Sequence, residues 1–221
     1  MNKLSVALLV LFLCTLTLQQ PSPPVWNPSW SSNFTESSWF PEFGNNTFKG
    51  YYLYDYANNR SKIWRSNGRT DRYCGTIHPG VIMECTQLMI NKKRYIIFPA
   101  IKQCCMCCTD AQGCGTVIPT WMASATLYST ASSGQDTVYT WLEKGGQENF
   151  YAETVTKAGQ RIPTKIYMEP NDDINFQVST YNGSPTYTAN DFALPTTYGD
   201  CETHCPKNSV CGLIPPETAQ E

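Results

Sequence analysis

The chain has 221 residues and a mass of 24.8 kDa, with 11 Cys, 15 Pro, 14 Gly and only 15% charged residues, where soluble domains average about 25%. A formal charge of −2 with no run of Lys or Arg excludes a nucleic-acid binder working through a basic face. A hydrophobic content of 41% excludes a disordered tail, and the length suits one domain with a sizeable core.

Residues 1–19 read as a secretory signal peptide. Lys3 precedes an apolar stretch over 4–13, polar residues follow from Gln19, and cleavage is expected between residues 14 and 20. The apolar stretch is too short to span a bilayer comfortably, and no second one of 18 residues follows, so no stable membrane span is expected. Loss of Cys14 leaves ten cysteines, an even number that suits a disulfide framework in an oxidising compartment. N-glycosylation sequons begin at Asn33, Asn45, Asn59 and Asn182, whereas Pro28 disqualifies Asn27. The expected destination is extracellular or an endomembrane lumen.

Residues 20–46, rich in Pro, Ser and Trp, show no sustained period and read as an extended arm whose Trp26, Trp30, Trp39 and Phe40 cover apolar surface. From Thr47 the texture changes to short β-like runs punctuated by turn residues. The runs fall at 48–57, 61–65, 70–74, 80–90, 94–101, 136–144, 149–155, 161–169 and 174–181. Asn67-Gly68 reads as a hairpin turn. Residues 119–125, opened by Pro119, form the only passable helix start. No βαβ pattern, repeat or phosphate-binding loop appears. The fold class is therefore mainly β: a curved antiparallel sheet, half-barrel or sandwich with one short helix, stapled by disulfides. Residues 47–215 form its single domain, including a cysteine-bearing closing arm, and 216–221 form a tail.

Cys104, Cys105, Cys107, Cys108 and Cys114 make the densest local signal. Zinc is disfavoured, because CC-x-CC is not the spacing of structural zinc sites. Adjacent Cα atoms are about 3.8 Å apart, too close for an ordinary bridge, so neighbouring cysteines should seek separate partners on opposite faces of an extended segment. The remaining cysteines are Cys74, Cys85, Cys201, Cys205 and Cys211. The block is expected to tie the early hairpins to the closing arm, with the connectivity left open.

Catalytic signals are sparse. His78 lies in a turn and His204 between two cysteines, and no serine-hydrolase elbow, HExxH or Cys-His signature is present. Glu148, Glu153 and Glu169 offer carboxylates for acid/base work, with nothing in the sequence fixing their mutual geometry. The acidic stretch 169–175 offers oxygen ligands for Ca²⁺, with Asp172 and Asp173 the candidates, against the plainer reading of a solvated turn.

The order of features resembles the ependymin-related proteins. A Gly-aromatic-Tyr-Asp strand spans 49–55, a basic strand and a cysteine-bearing hairpin follow, RYIIFP starts at Arg94, and a Phe-x-x-Pro…Cys arm runs from Phe192 to Cys201. The resemblance covers about 45–211, and the CC-x-CC block and C-x₃-C-x₅-C tail exceed that family's cysteine complement. It implies a secreted, glycosylated, LolA-like curved sheet around a hydrophobic pocket, non-enzymatic, binding a lipid or other apolar molecule, with Ca²⁺ as a cofactor to consider. Alternation alone nominates Tyr52, Tyr54, Ile96, Phe98, Trp121, Trp141 and Phe150 as wall residues. The alternatives are a disulfide-rich structural or adhesion protein without a ligand and a hydrolase with an unrecognised carboxylate site. A homodimer is a further expected partner.

Overall fold

The computed structural model describes residues 20–145 and 148–215, the side chain of Phe40 excepted. The expected leader and tail, with Cys14, lie outside these residues. Eleven strands form one antiparallel, unclosed sheet: β1 (Ser29–Phe40), β2 (Gly44–Asp55), β3 (Arg60–Arg65), β4 (Cys85–Ile90), β5 (Lys93–Phe98), β6 (Gln103–Thr109), β7 (Thr126–Ser133), β8 (Asp136–Lys144), β9 (Glu148–Val155), β10 (Arg161–Met168) and β11 (Asp172–Phe176). The spatial order is β6-β5-β4-β3-β2-β1-β11-β10-β9-β8-β7. Two meanders thus meet where β11 pairs with β1, and β6 and β7, consecutive in sequence, occupy opposite edges.

That topology makes the sheet curl. Ten inter-strand spacings would separate the two edges of a flat sheet by roughly 48 Å. The connection over 110–125 would need nearly its full extended length of roughly 55 Å to span that gap, yet it is largely a series of turns. Tyr54 of β2 and Tyr151 of β9, four strands apart, both place their rings within 6.2 Å of the Trp26 ring, against roughly 19 Å between those strands if flat. The sheet is therefore wrapped around an inner face that the β6–β7 connection crosses.

Several expectations are corrected. Ser29–Phe40, taken from sequence as part of an arm, is a central strand with Trp30, Ser32, Phe34, Glu36 and Ser38 inward. Its period was hidden because three of those inward positions are polar. Asn67-Gly68 does not close a hairpin: Asn67 Oδ1 accepts from the Arg69 N–H, and the chain runs on through the short helix α1 (Cys74–Ile77) before β4 pairs with β3. Gly68 is needed for close approach, since a Cβ there would lie 2.6 Å from the Cys85 Cβ. Residues 119–125 form turns rather than a helix, and the second short helix, α2 (Val210–Leu213), sits in the closing arm.

Three apolar clusters fill the molecule. Trp26, Trp30, Phe34, Tyr52, Tyr54, Trp141, Tyr151 and Phe176 pack on the inner face together with Met122 of the crossing segment. Ile96, Phe98, Cys105, Cys107 and Cys205 form a second cluster with α1. Leu88, Tyr95, Ile97, Met106 and Phe192 form a third, on the opposite face, beneath the closing arm.

The bridges are Cys74–Cys85, Cys104–Cys201, Cys105–Cys205, Cys107–Cys211 and Cys108–Cys114. Adjacent cysteines of β6 take different partners, as an extended segment dictates. The block does not reach the early hairpins, because the Cys74–Cys85 bridge is self-contained and Cys108 closes a local loop with Cys114. Cys104 sits in the cluster beneath the arm, and Cys105 and Cys107 sit in the one with α1. The arm passes around the β6 edge, where Met106 donates its N–H to Thr203 O and accepts from the Cys205 N–H, both at 2.9 Å.

Candidate ligand-binding face

Cross-strand register decides which of the sequence-nominated wall residues meet. Tyr52 lies opposite Ile63, Ile63 opposite Gln87, and Gln87 opposite Ile96, one row of the inner face. Tyr52, Tyr54, Trp121 and Trp141 come together in the inner aromatic cluster. Ile96 and Phe98 share that face but belong to the cysteine-rich cluster towards the β6 edge. Phe150 points the other way: it lines an outer groove of about 320 Å³ with Thr140, Ala152, Lys165 and Tyr167. The nominated set is therefore divided three ways. Trp26, Trp30, Phe34, Tyr151 and Phe176 complete the inner cluster. The inward period of β1 would have exposed Trp30 and Phe34 had its polar positions been recognised as buried.

The cluster is roofed by irregular chain. Trp26, on the segment preceding β1, sits edge-on to Trp30, Tyr54 and Trp121, with centroids 5.1–5.3 Å away. The Trp26 N–H donates to Pro119 O at 3.0 Å, which joins the two roofing segments, and Tyr54 Oη donates to Val117 O at 2.7 Å. Arg161 holds the start of the first segment by donating to Ser22 O and Pro23 O. Edge-to-face packing of this kind is the arrangement the ring quadrupoles favour.

Three donors in this cluster have no acceptor among the described residues: the indole N–H groups of Trp26, of Trp30, fully buried, and of Trp121 make no hydrogen bond. By contrast, Trp141 Nε1 donates to Glu153 Oε1 at 2.9 Å, and Glu153 is itself paired with Arg161. An unpartnered buried donor forfeits its water without compensation, at about 1–3 kcal/mol, and is uncommon in native proteins.

Between the aromatic and cysteine-rich clusters lies a buried polar group. Arg65 Nε meets Glu36 Oε2 at 2.7 Å, and its Nη1 lies 3.2 Å from Asp71 Oδ2. Asp71 also accepts from Gln87 Nε2 at 2.7 Å and from the N–H groups of Tyr73 and Cys74. Asp172 adds a third carboxyl facing the same guanidinium, and burial raises its pKa above the ordinary value. One cation cannot serve three buried carboxylates. Burial pushes Glu36 up to about 8, against the opposing pull of Arg65, so Glu36 holds a proton at neutral pH. This cluster walls off Ile96 and Phe98 from the aromatic group.

The other nominated residues are dispersed. Asp172 points inward, and Asp173 pairs outward with Lys165 at 2.7 Å, so the two Ca²⁺ candidates face opposite ways. Among the described residues no group of three or more His, Cys, Asp and Glu side chains is placed to hold a metal ion. Glu153 is committed to Trp141 and Arg161, while Glu148 and Glu169 meet at the ends of β9 and β10, where the Glu169 N–H donates to Glu148 O at 3.2 Å. His78 bonds Gln103 at 3.0 Å and packs edge-on against Phe98. Asn33, Asn45, Asn59 and Asn182 are all exposed. No helix of the described residues is long and apolar enough to cross a membrane.

No family model and no characterised protein sequence matches this chain. Solved structures do align with it, at low identity. An uncharacterized conserved protein from Thermus thermophilus aligns at 8% identity and a TM-score of 0.48, over 80% of this chain and 90% of the other. The LolA superfamily protein NE2245 from Nitrosomonas europaea aligns at 12% and 0.37, over 76% and 91%. MucB aligns at 10% and 0.38, over 80% and 60%.

Proposed function

We propose that this is a secreted, non-enzymatic binding protein that holds an apolar molecule bearing an oxygen acceptor, such as a fatty acid or a lipid ester, against the inner face of its curled sheet. The observation that carries the reading is the set of three acceptorless indole N–H groups, Trp26, Trp30 and Trp121, inside an aromatic cluster. A carboxylate or carbonyl oxygen supplies what those donors lack, and an acyl chain matches the rings around them. The roof allows entry, because residues 20–28 and 115–125 carry no helix or ladder and lift without breaking the sheet. The likeness of 49–55 and 192–201 to ependymin-related proteins belongs to the same proposal. A second reading, a structural protein without ligand, is favoured by the way Trp26, Tyr52, Tyr54 and Trp141 already pack on one another.

The test is native mass spectrometry of protein secreted from a eukaryotic host, followed by titration of delipidated protein with a fluorescent fatty acid. Binding in the wild type, weakened about tenfold or more in Trp30→Phe and Trp121→Phe, is the expected result, as for loss of a buried hydrogen bond. No co-purifying lipid and no titratable binding would hand the molecule to the structural reading.

A further inference from the structure

The two edges of the sheet are treated differently. The β6 edge is occupied by the closing arm through Met106, Thr203 and Cys205. Among the described residues nothing pairs with the β7 edge. Seven of its eight residues are exposed, and its backbone ladder runs to β8 alone. The two-residue turn Gly134–Gln135 makes Ser133–Asp136 the closing hydrogen-bonded pair, so alternation aims the N–H and C=O of Thr130 and Ser132 away from β8. Residues 126–135 contain no charge and no proline, two of the devices that normally protect a free edge, and the bulge between Leu127 and Ser129 leaves the run 129–133 regular.

We propose that β7 pairs antiparallel with β7 of a second copy of this chain, making one continuous sheet across a two-fold axis at Thr130. Three observations favour a second copy as the occupant. The strand is uncharged and its Ser, Thr and Ala side chains are small, so it meets its own image without like-charge repulsion or steric conflict, and Ser/Thr cross-strand pairs are favourable. Tyr128, 63% exposed at this edge and packed edge-on against Phe150, faces the partner's Ser132 in that register and gains cover from it. Finally, the sequon residues Asn33, Asn45, Asn59 and Asn182 all lie outside β7–β10, so glycans there leave the edge open. An eight-residue strand pair is a small interface, so the dimer is expected to be weak, with a Kd of roughly micromolar order.

Sedimentation velocity of the intact oxidised protein from about 1 to 200 μM tests this across that range. The expected result is a monomer that becomes a dimer as concentration rises, with the amides of Thr130 and Ser132 gaining hydrogen-exchange protection in step. Thr130→Pro removes an outward N–H, and Thr130→Lys places like charges on the axis. Each should raise the dimerisation midpoint at least about tenfold while leaving the monomer's circular dichroism and melting temperature unchanged. A wild type still monomeric at the top concentration overturns the proposal, as does a dimer that leaves these amides unprotected or survives both substitutions.

Discussion

In the part of the sheet running from β4 to β6, side chains are covered on both faces, by the cysteine-rich cluster inside and the closing arm outside. In the half running from β7 to β10 only the inner face is covered, and the outer face of β8, β9 and β10 is a shallow groove with half-exposed aromatics. All ten described cysteines lie in 74–114 and 201–211, on the doubly covered side. The second cover is a segment of short turns that makes few main-chain bonds to the sheet and cannot hold itself down. Covalent links supply what a ladder would. The thin half, by contrast, is a regular meander whose every strand pairs with its sequence neighbour, and it relies on hydrogen bonds and one buried ion pair.

If this division is right, breaking bridges should loosen one half preferentially. Replacing the six cysteines of the Cys104–Cys201, Cys105–Cys205 and Cys107–Cys211 bridges by alanine opens a loop of about 100 residues, which should cost at least about 4 kcal/mol in denaturant unfolding. Hydrogen exchange should rise first in β4–β6, and equal loosening in β8–β10 would erase the distinction. The matching experiment on the thin half is Glu153→Ala. It strands the Trp141 indole and the Arg161 guanidinium, a loss of about 3 kcal/mol, and should also free residues 20–28 by disturbing Arg161, read as faster proteolysis there. A change confined to β4–β6 would contradict the assignment.

The smallest effect concerns the join between the halves. Glu36 has an ordinary pKa of 4.5 and a folded value of about 8. Its protonated form is favoured by folding, so its contribution is complete below about pH 4.5 and lost as pH rises through 8. Asp172 is shifted in the same direction. Glu36→Gln, which keeps an acceptor for Arg65, should flatten the decline of melting temperature from pH 5 to 8. An unchanged slope would show that Glu36 is not the titrating group.

The sequence carried the class of fold because Tyr52 and Tyr54 alternate with Tyr51 and Leu53, and turn residues punctuate the runs. It did not carry β1, where Ser32, Glu36 and Ser38 occupy buried positions, since a polar residue inside is legible only once its partner, such as Arg65, is known. It did not carry β7 either, because a strand exposed on almost every residue has no apolar period. The opposite-face behaviour of Cys104 and Cys105 followed from chain geometry, but their partners lie 97 and 100 residues away and no local rule reaches them. For the inner face, alternation separated odd from even positions within each strand. It could not say that Glu36, Arg65 and Asp71 divide that face, nor that β9 turns Phe150 outward.

The passage of the closing arm around β6 also sets a schedule for making the molecule. Cys104, Cys105 and Cys107 must wait for residues 201–211, about a hundred positions later, or roughly 5–20 s at ordinary rates of synthesis. During that interval Cys74, Cys85, Cys108 and Cys114 are the thiols within reach, and any bridge they form with the waiting three must be undone. Native pairing is then the work of an exchange catalyst acting after the last strand has emerged, and yield from a given host should follow its isomerase supply more closely than its oxidising strength.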